Sequence, residues 1–251
     1  MFKREFKILV MLVCIFSAGF SHADISKTIT IITSSSIPPY VISKTHSGIA
    51  IDLIRETLAL KGYRVKFSYA TNKRVEQEIN NKRVHGAFNI PHTAQTDLFE
   101  SHSIVTYNNV AITLTSKNIE INKTEDLQGK SITAFQKAAE FLGQQYKDAT
   151  KKNLRYSEVT KQHLQILMLH KDRSDVIVME ENVFYYYKQQ LQRLKRIKKS
   201  PHTIHRIFPP AKRFAVFKSK QVRDDFNDGL KQLHSNGRYK QIVAQYISND
   251  E

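Results

Sequence analysis

Cysteine is almost missing from this sequence: Cys14 is the single one in 251 residues. It lies inside one short apolar run, Ile8 to Phe20, that follows the positive residues Lys3, Arg4 and Lys7. Ser21-His22-Ala23 then places small residues at the two positions a signal peptidase reads. Residues 1–23 are therefore expected to be a secretory signal cleaved before Asp24. A membrane span needs about 20 apolar residues, and the run falls short of that. Lipid attachment at Cys14 wants Gly or Ala before it, and Val13 stands there instead. The remaining 228 residues (24–251) hold no cysteine, which excludes a disulfide framework and suits an oxidising compartment. Stability must come from a packed core, and this length can bury one.

Acidic residues are missing from a long stretch. None occurs between Asn182 and Arg223, while that stretch carries twelve Lys and Arg residues. The whole chain is +16, and about +14 once the leader is removed. Such a balance reads either as an anion-binding face or as a solvated basic surface. Export and the lack of any nucleic-acid motif speak against nucleic acid as the partner. No Ser-His-Asp order, zinc spacing or phosphate loop occurs, so no catalytic residue, cofactor or metal is expected. His202 and His205 stand three apart, but without Cys or acid neighbours they make a weak metal pair. Solenoid repeats and low-complexity linkers are absent too.

What is present is an alternation of strand and helix patterns. Thr28 to Ile32 reads as a strand, ended by Ser34-Ser35-Ser36 and Pro38-Pro39. After Gly48, the apolar residues Ala50, Leu53, Ile54 and Leu58 share one helical face. Strands are expected at 63–69, 84–90, 110–114, 131–135, 153–156, 175–179 and 214–217. Helices are expected after Thr71, at 136–148, 159–170 and 181–194, and twice at the end, on Val222/Phe226/Leu230/Leu233 and Tyr239/Ile242/Val243/Ile247. Residues 124–130 read as a capped turn stopped by Gly129. The class is α/β, sheets covered by helices.

Several of these segments in order resemble the bacterial extracellular solute-binding proteins of family 3, which serve amino-acid-type transporters. The segments are Ile29 to Ser34 with Pro38-Pro39-Tyr40, Gly48-Ile49-Ala50-Ile51-Asp52-Leu53, Asn81 to Phe88, Glu125 to Lys130, Asp175 to Val178, and Phe226 to Leu230 with Asn236 to Ile242. The resemblance implies a two-lobed periplasmic-binding-protein fold of type II, with two crossover strands and a ligand cleft between the lobes. Lobe one would be residues 24–110 plus 212–251, and lobe two residues 111–211. The crossovers would run near Asn109-Val110-Ala111 and Lys212-Arg213-Phe214. Such a cleft lies at strand C-termini and helix N-termini, where backbone N–H groups favour anionic groups.

Seven residues are the ligand-binding candidates that this resemblance suggests. Tyr40 stands where the family places a ligand-facing aromatic, able to stack on a solute; an ordinary packing role is the alternative. Glu180 aligns with the acid that holds a ligand ammonium, or else serves the helix that follows it. In amino-acid binders a Thr-x-x-Arg motif clamps the ligand carboxylate, but residues 93–97 here read Thr-Ala-Gln-Thr-Asp, without arginine. Asn89, His92 and Thr93 are the polar residues left there to hydrogen-bond a ligand. Phe135 and Lys137 stand where the family has a Gly-Thr pair, and Lys137 either adds charge to an anion site or faces solvent.

The expected function is capture of a small polar solute, amino-acid-like or related, by a periplasmic monomer that delivers it to an inner-membrane ABC permease or a sensor. An enzyme on the same fold is the alternative, resembling cyclohexadienyl dehydratases, with Glu180 as the acid. A sensory module without a transport role is a third.

Overall fold

The structure, a computed structural model, describes residues 27–34, 36–89 and 97–247. The secretory signal expected at 1–23 lies outside the described residues.

The chain opens with β1 (Lys27–Ser34), the short pair β2 (Ser36–Ile37) and β3 (Val41–Ile42), α1 (Ile49–Ala59), β4 (Tyr63–Ala70), α2 (Asn72–Glu78), β5 (Gly86–Phe88) and β6 (Phe99–Glu100). It leaves this unit through β7 (Val105–Tyr107) and enters β8 (Asn109–Leu114), β9 (Ile132–Phe135), α3 (Ala138–Phe141), α4 (Gln144–Lys151), β10 (Tyr156–Val159), α5 (His163–His170), β11 (Val176–Glu180), α6 (Glu181–Arg193) and β12 (His202–His205). Then β13 (Ala211–Arg213) leads back to β14 (Ala215–Phe217), α7 (Lys220–Ser235) and α8 (Arg238–Ala244).

Two five-stranded sheets result, in the orders β4-β1-β5-β14-β6 and β10-β9-β11-β8-β12. In each, three parallel strands carry an antiparallel strand beside the third. Those antiparallel strands, β8 and β14, directly follow β7 and β13, which pair with each other between the sheets. The chain thus passes between the units twice, side by side, which is the architecture of type II periplasmic binding proteins.

Local chemistry sets the boundaries. Thr71 caps α2, Ser219 caps α7 and Glu180 caps α6, each through its side chain. The single helix expected at 136–148 is instead two short ones, α3 and α4. Gly143, at φ 88°, turns the chain between them. The strand expected at 153–156 begins only at Tyr156. Asn153 accepts from the Arg155 amide at 2.9 Å and donates to the Lys130 carbonyl at 2.9 Å, holding a turn there. Val159 therefore ends β10 opposite Phe135, and α5 starts at His163 rather than at 159. His202 and His205, weak as a metal pair in the sequence, do not converge in the fold. Three positions apart on a strand, His202 and His205 face opposite ways: His205 bonds Thr113 at 3.0 Å, His202 meets His170 at 3.1 Å.

The buried stripe of α1 (Ile49, Leu53, Ile54, Leu58) packs on the first sheet and against α7. A Cβ at Gly229 in α7 would lie 2.4 Å from the Thr57 carbonyl oxygen of α1, so this helix contact requires glycine. Gly229→Ala gains about 1 kcal/mol of helix propensity, but overpacking costs about 1–3 kcal/mol. With the Cβ contact this short the overpacking cost sits at its upper end, so a net loss of up to about 2 kcal/mol is expected in denaturant melts. An unchanged or raised midpoint would mean that the two helices part cheaply.

Candidate functional site

The C-terminal ends of β1, β5, β9 and β11 meet at the seam between the sheets, where open α/β sheets receive ligands. Ile37, Asn72 and Asn89 approach from the first unit, Tyr107 and Arg213 from the connecting strands, and Asn109, Phe135, Phe141, Gln162 and Glu180 from the second unit. They line a cavity of about 20 Å³, about the room one water needs. A second void of about 30 Å³ adjoins it across Ile37, Asn72, Phe135 and Gln162. Among the described residues the cleft is therefore a narrow seam.

Polar contacts bridge this seam. Tyr40 is buried, its ring centroid 4.5 Å from that of Tyr107, and its hydroxyl donates to Glu180 Oε1 at 3.0 Å. The turn that carries it is tight. Gly48 sits at φ 125°, and a Cβ there would fall 2.4 Å from the Tyr40 carbonyl oxygen. Elsewhere Asn72 Nδ2 donates to the Gln136 carbonyl at 3.2 Å, and Lys137 Nζ pairs with Glu76 at 2.5 Å.

Glu180 ends β11, 3% exposed. Its Oε1 also accepts from the Asn108 amide at 3.3 Å and Asn182 Nδ2 at 3.4 Å, and its Oε2 accepts from the Val183 amide at 3.0 Å. Burial pushes its carboxyl up to about 7, with these hydrogen bonds pulling the other way. The side chain thus caps α6 and holds Tyr40 while lining the cavity.

Arg213 was not among the candidates that sequence reasoning selected. In the β7–β13 ladder Val105 faces Arg213 and Tyr107 faces Ala211. Alternation turns Val105, Tyr107 and Arg213 inward and leaves Thr106 and Lys212 exposed. The guanidinium carbon lies 4.9 Å from the Tyr107 ring centroid and 5.0 Å from that of Phe141. Its Nε is buried without a hydrogen-bond partner among the described residues. Burial pulls its pKa down, against the influence of Tyr107 and Glu180.

Of the seven candidates, Asn89, Phe135 and Glu180 line the cavity. Asn89 adopts φ 63° and donates to Ser34 Oγ at 3.3 Å, leaving its buried Oδ1 without a partner. Tyr40 stands behind Glu180. The Lys137 ammonium is held by Glu76 and, at 2.8 Å, by Glu140, beside the seam rather than in the cavity. His92 and Thr93 lie outside the described residues. Missed as well were Tyr107, Asn109, Phe141, Gln162 and Asn72. The alternation of Val105-Thr106-Tyr107 and Ala211-Lys212-Arg213 was the available signal for Tyr107 and Arg213.

A family model for bacterial extracellular solute-binding proteins, family 3, matches residues 29–249. No curated protein sequence matches the chain. Among solved structures, the arginine-, lysine-, histidine-binding protein ArtJ from Geobacillus stearothermophilus is 15% identical, with a TM-score of 0.70, over 90% of this chain and 97% of that one. A histidine kinase sensor domain with similarity to periplasmic binding proteins is 16% identical, with a TM-score of 0.71, over 90% and 98%. The ancestral amino acid-binding protein AncCDT-1, a precursor of cyclohexadienyl dehydratase, is 16% identical, with a TM-score of 0.67, over 87% and 95%. At these identities the likeness shows a shared fold.

Proposed function

Because this chain belongs to family 3 of the bacterial extracellular solute-binding proteins, we propose that it captures an amino-acid-like solute in the periplasm and delivers it to an inner-membrane ABC permease. In this reading a signal at 1–23 directs export, residues 24–110 with 212–251 form one lobe, residues 111–211 form the other, and the protein works as a monomer. One observation carries the reading: five buried polar atoms without partners among the described residues belong to side chains lining one cavity. They are Asn89 Oδ1, Tyr107 Oη, Asn109 Nδ2, Gln162 Oε1 and Arg213 Nε. Buried polar groups are nearly always hydrogen-bonded, and leaving one unmade costs about 1–3 kcal/mol. Donors and acceptors converging on one void suit a guest that satisfies both.

The test is thermal melting of the mature protein with amino acids, organic acids and polyamines. A ligand binding only the folded form adds about 2.7 kcal/mol at a hundred times its Kd, or roughly 5–10 °C for a chain of this size. A melting temperature that none of these solutes raises would remove the reading.

The buried, raised carboxyl of Glu180 favours a second reading, an acid catalyst on the same fold. Prephenate turnover by the purified protein supports it, and tight binding of a solute without turnover dismisses it. A sensor in place of the permease changes the partner, not the site.

A further inference from the structure

Resting on that solute-binding reading, we propose that Arg213 grips a carboxylate of the solute, so that the anion clamp sits on the returning crossover strand and not in the loop after β5. Residues 89–97 contain no arginine, so an arginine that grips a carboxylate solute has to come from elsewhere in the chain. Arg213 meets the geometric needs of that task. Its guanidinium is held within 5.0 Å of two ring centroids, Tyr107 from β7 and Phe141 from α3, which restrain the orientation of a planar fork. It lines the cavity, and its buried Nε has no partner. Asn109 Nδ2, also buried and unpartnered, adds a donor on the same cavity. A guanidinium and a nearby amide N–H are together the donor set that two carboxylate oxygens accept from.

Glu180 is the structural alternative as a counter-ion. Its two oxygens, however, already accept from Tyr40, Asn108, Asn182 and Val183, and no ion pair joins it to Arg213 among the described residues. The buried Nε of Arg213, left without a hydrogen-bond partner among the described residues, is a cost that folding alone does not reward. The remaining unpartnered acceptors, Asn89 Oδ1 and Gln162 Oε1, suit N–H donors of the same guest. The solute class is then a small molecule with a carboxylate at one end and an amino or amide group at the other. The placement also bears on closure. Arg213 lies on a connecting strand, while Phe141 belongs to the second unit, so gripping the anion draws on both.

The test uses the mature protein, Arg213→Met and Arg213→Lys. Met keeps an unbranched stem between the rings without the charge, and Lys keeps the charge without the fork. Probes are the common L-amino acids, succinate, putrescine and, for each acid that binds, its primary carboxamide. The native protein is expected to melt higher with at least one free acid and not with the matching amide. In Arg213→Met the affinity for that acid is expected to fall about 100-fold or more, and in Arg213→Lys by less. The ligand-free melting temperature of Arg213→Met should be unchanged or higher, since a buried N–H without a hydrogen-bond partner among the described residues has been removed. A drop there marks Arg213 as structural and overturns the proposal. Equal binding of acid and amide, or retained affinity in Arg213→Met, overturns it too. Response to putrescine alone defeats the clamp while leaving solute capture intact; response to nothing defeats both.

Discussion

Glu180→Gln is expected to match the native protein in stability near pH 4.5 and to exceed it by roughly 3 kcal/mol at pH 8. The folded carboxyl holds its proton up to about pH 7, because burial disfavours its charge, whereas an unfolded one releases it near 4.5. The folded state therefore binds more protons through that window, and native stability falls as pH rises across it. At low pH the protonated acid and the amide are near-isosteres, each with one oxygen acceptor and one donor group for Tyr40, Asn182 and the capped helix end. Above pH 7 the native protein carries a carboxylate with 3% exposure, and the variant carries none. For a chain of this size the gap amounts to roughly 6–12 °C in melting temperature.

The native pH curve alone would hide this. Burial pulls His202 down to about 4, and it lowers His163, His170 and His205 as well. Those imidazoles take up protons more readily when unfolded, so their contribution rises with pH over much of the window in which that of Glu180 falls. Water screens them, since only His205 is buried. The informative quantity is the difference between variant and native protein at each pH. A difference that stays constant from pH 4.5 to 8 would mean that Glu180 is ionised throughout, and that its four donors outweigh its burial.

Elements whose pattern is local were legible. The alternation from Tyr63 to Ala70 marks β4, and Val222, Phe226, Leu230 and Leu233 mark the buried face of α7. Glu180 was legible as the last residue of its strand; its service as a helix cap was a rival role, and the structure gives it that cap and a place on the cavity together. Less legible was anything that depends on two distant segments finding register. Arg213 faces the cavity only because a three-residue strand pairs with another over a hundred positions earlier. In sequence it was one cation among twelve in an acid-free stretch. In the fold that stretch disperses: Arg213 turns to the seam, Lys188 lies 5.6 Å from the Phe184 ring centroid, and Arg206 pairs with Glu181 at 2.6 Å. A run of like charge along a chain is not a face, because strand and helix periods send neighbouring side chains in different directions.

Phe226→Ala is expected to cost about 3–5 kcal/mol, lowering the melting temperature by roughly 6–20 °C. Phe226 is fully buried on α7, with its ring centroid 5.2 Å from that of Phe217 on β14. Both belong to the core that also contains Leu53, Ile54 and Leu58 of α1. Gly229 brings α1 and α7 so close that their backbones have little freedom to collapse into the space a lost ring leaves. The cavity should therefore stay open, which puts the cost toward the upper end of the range. Its consequence reaches the seam by position: β14 follows β13, so loosening the Phe217–Phe226 contact loosens the strand next to Arg213. Calorimetry distinguishes how far that goes. One transition moved downward means that the two sheets unfold together across the Tyr40–Glu180 contact. Two separated transitions mean that the first sheet melts alone, and that the connecting strands carry little cooperativity. A fall of less than about 1 kcal/mol would show that α7 shifts to refill the space, and that the tight crossing at Gly229 does not restrain it.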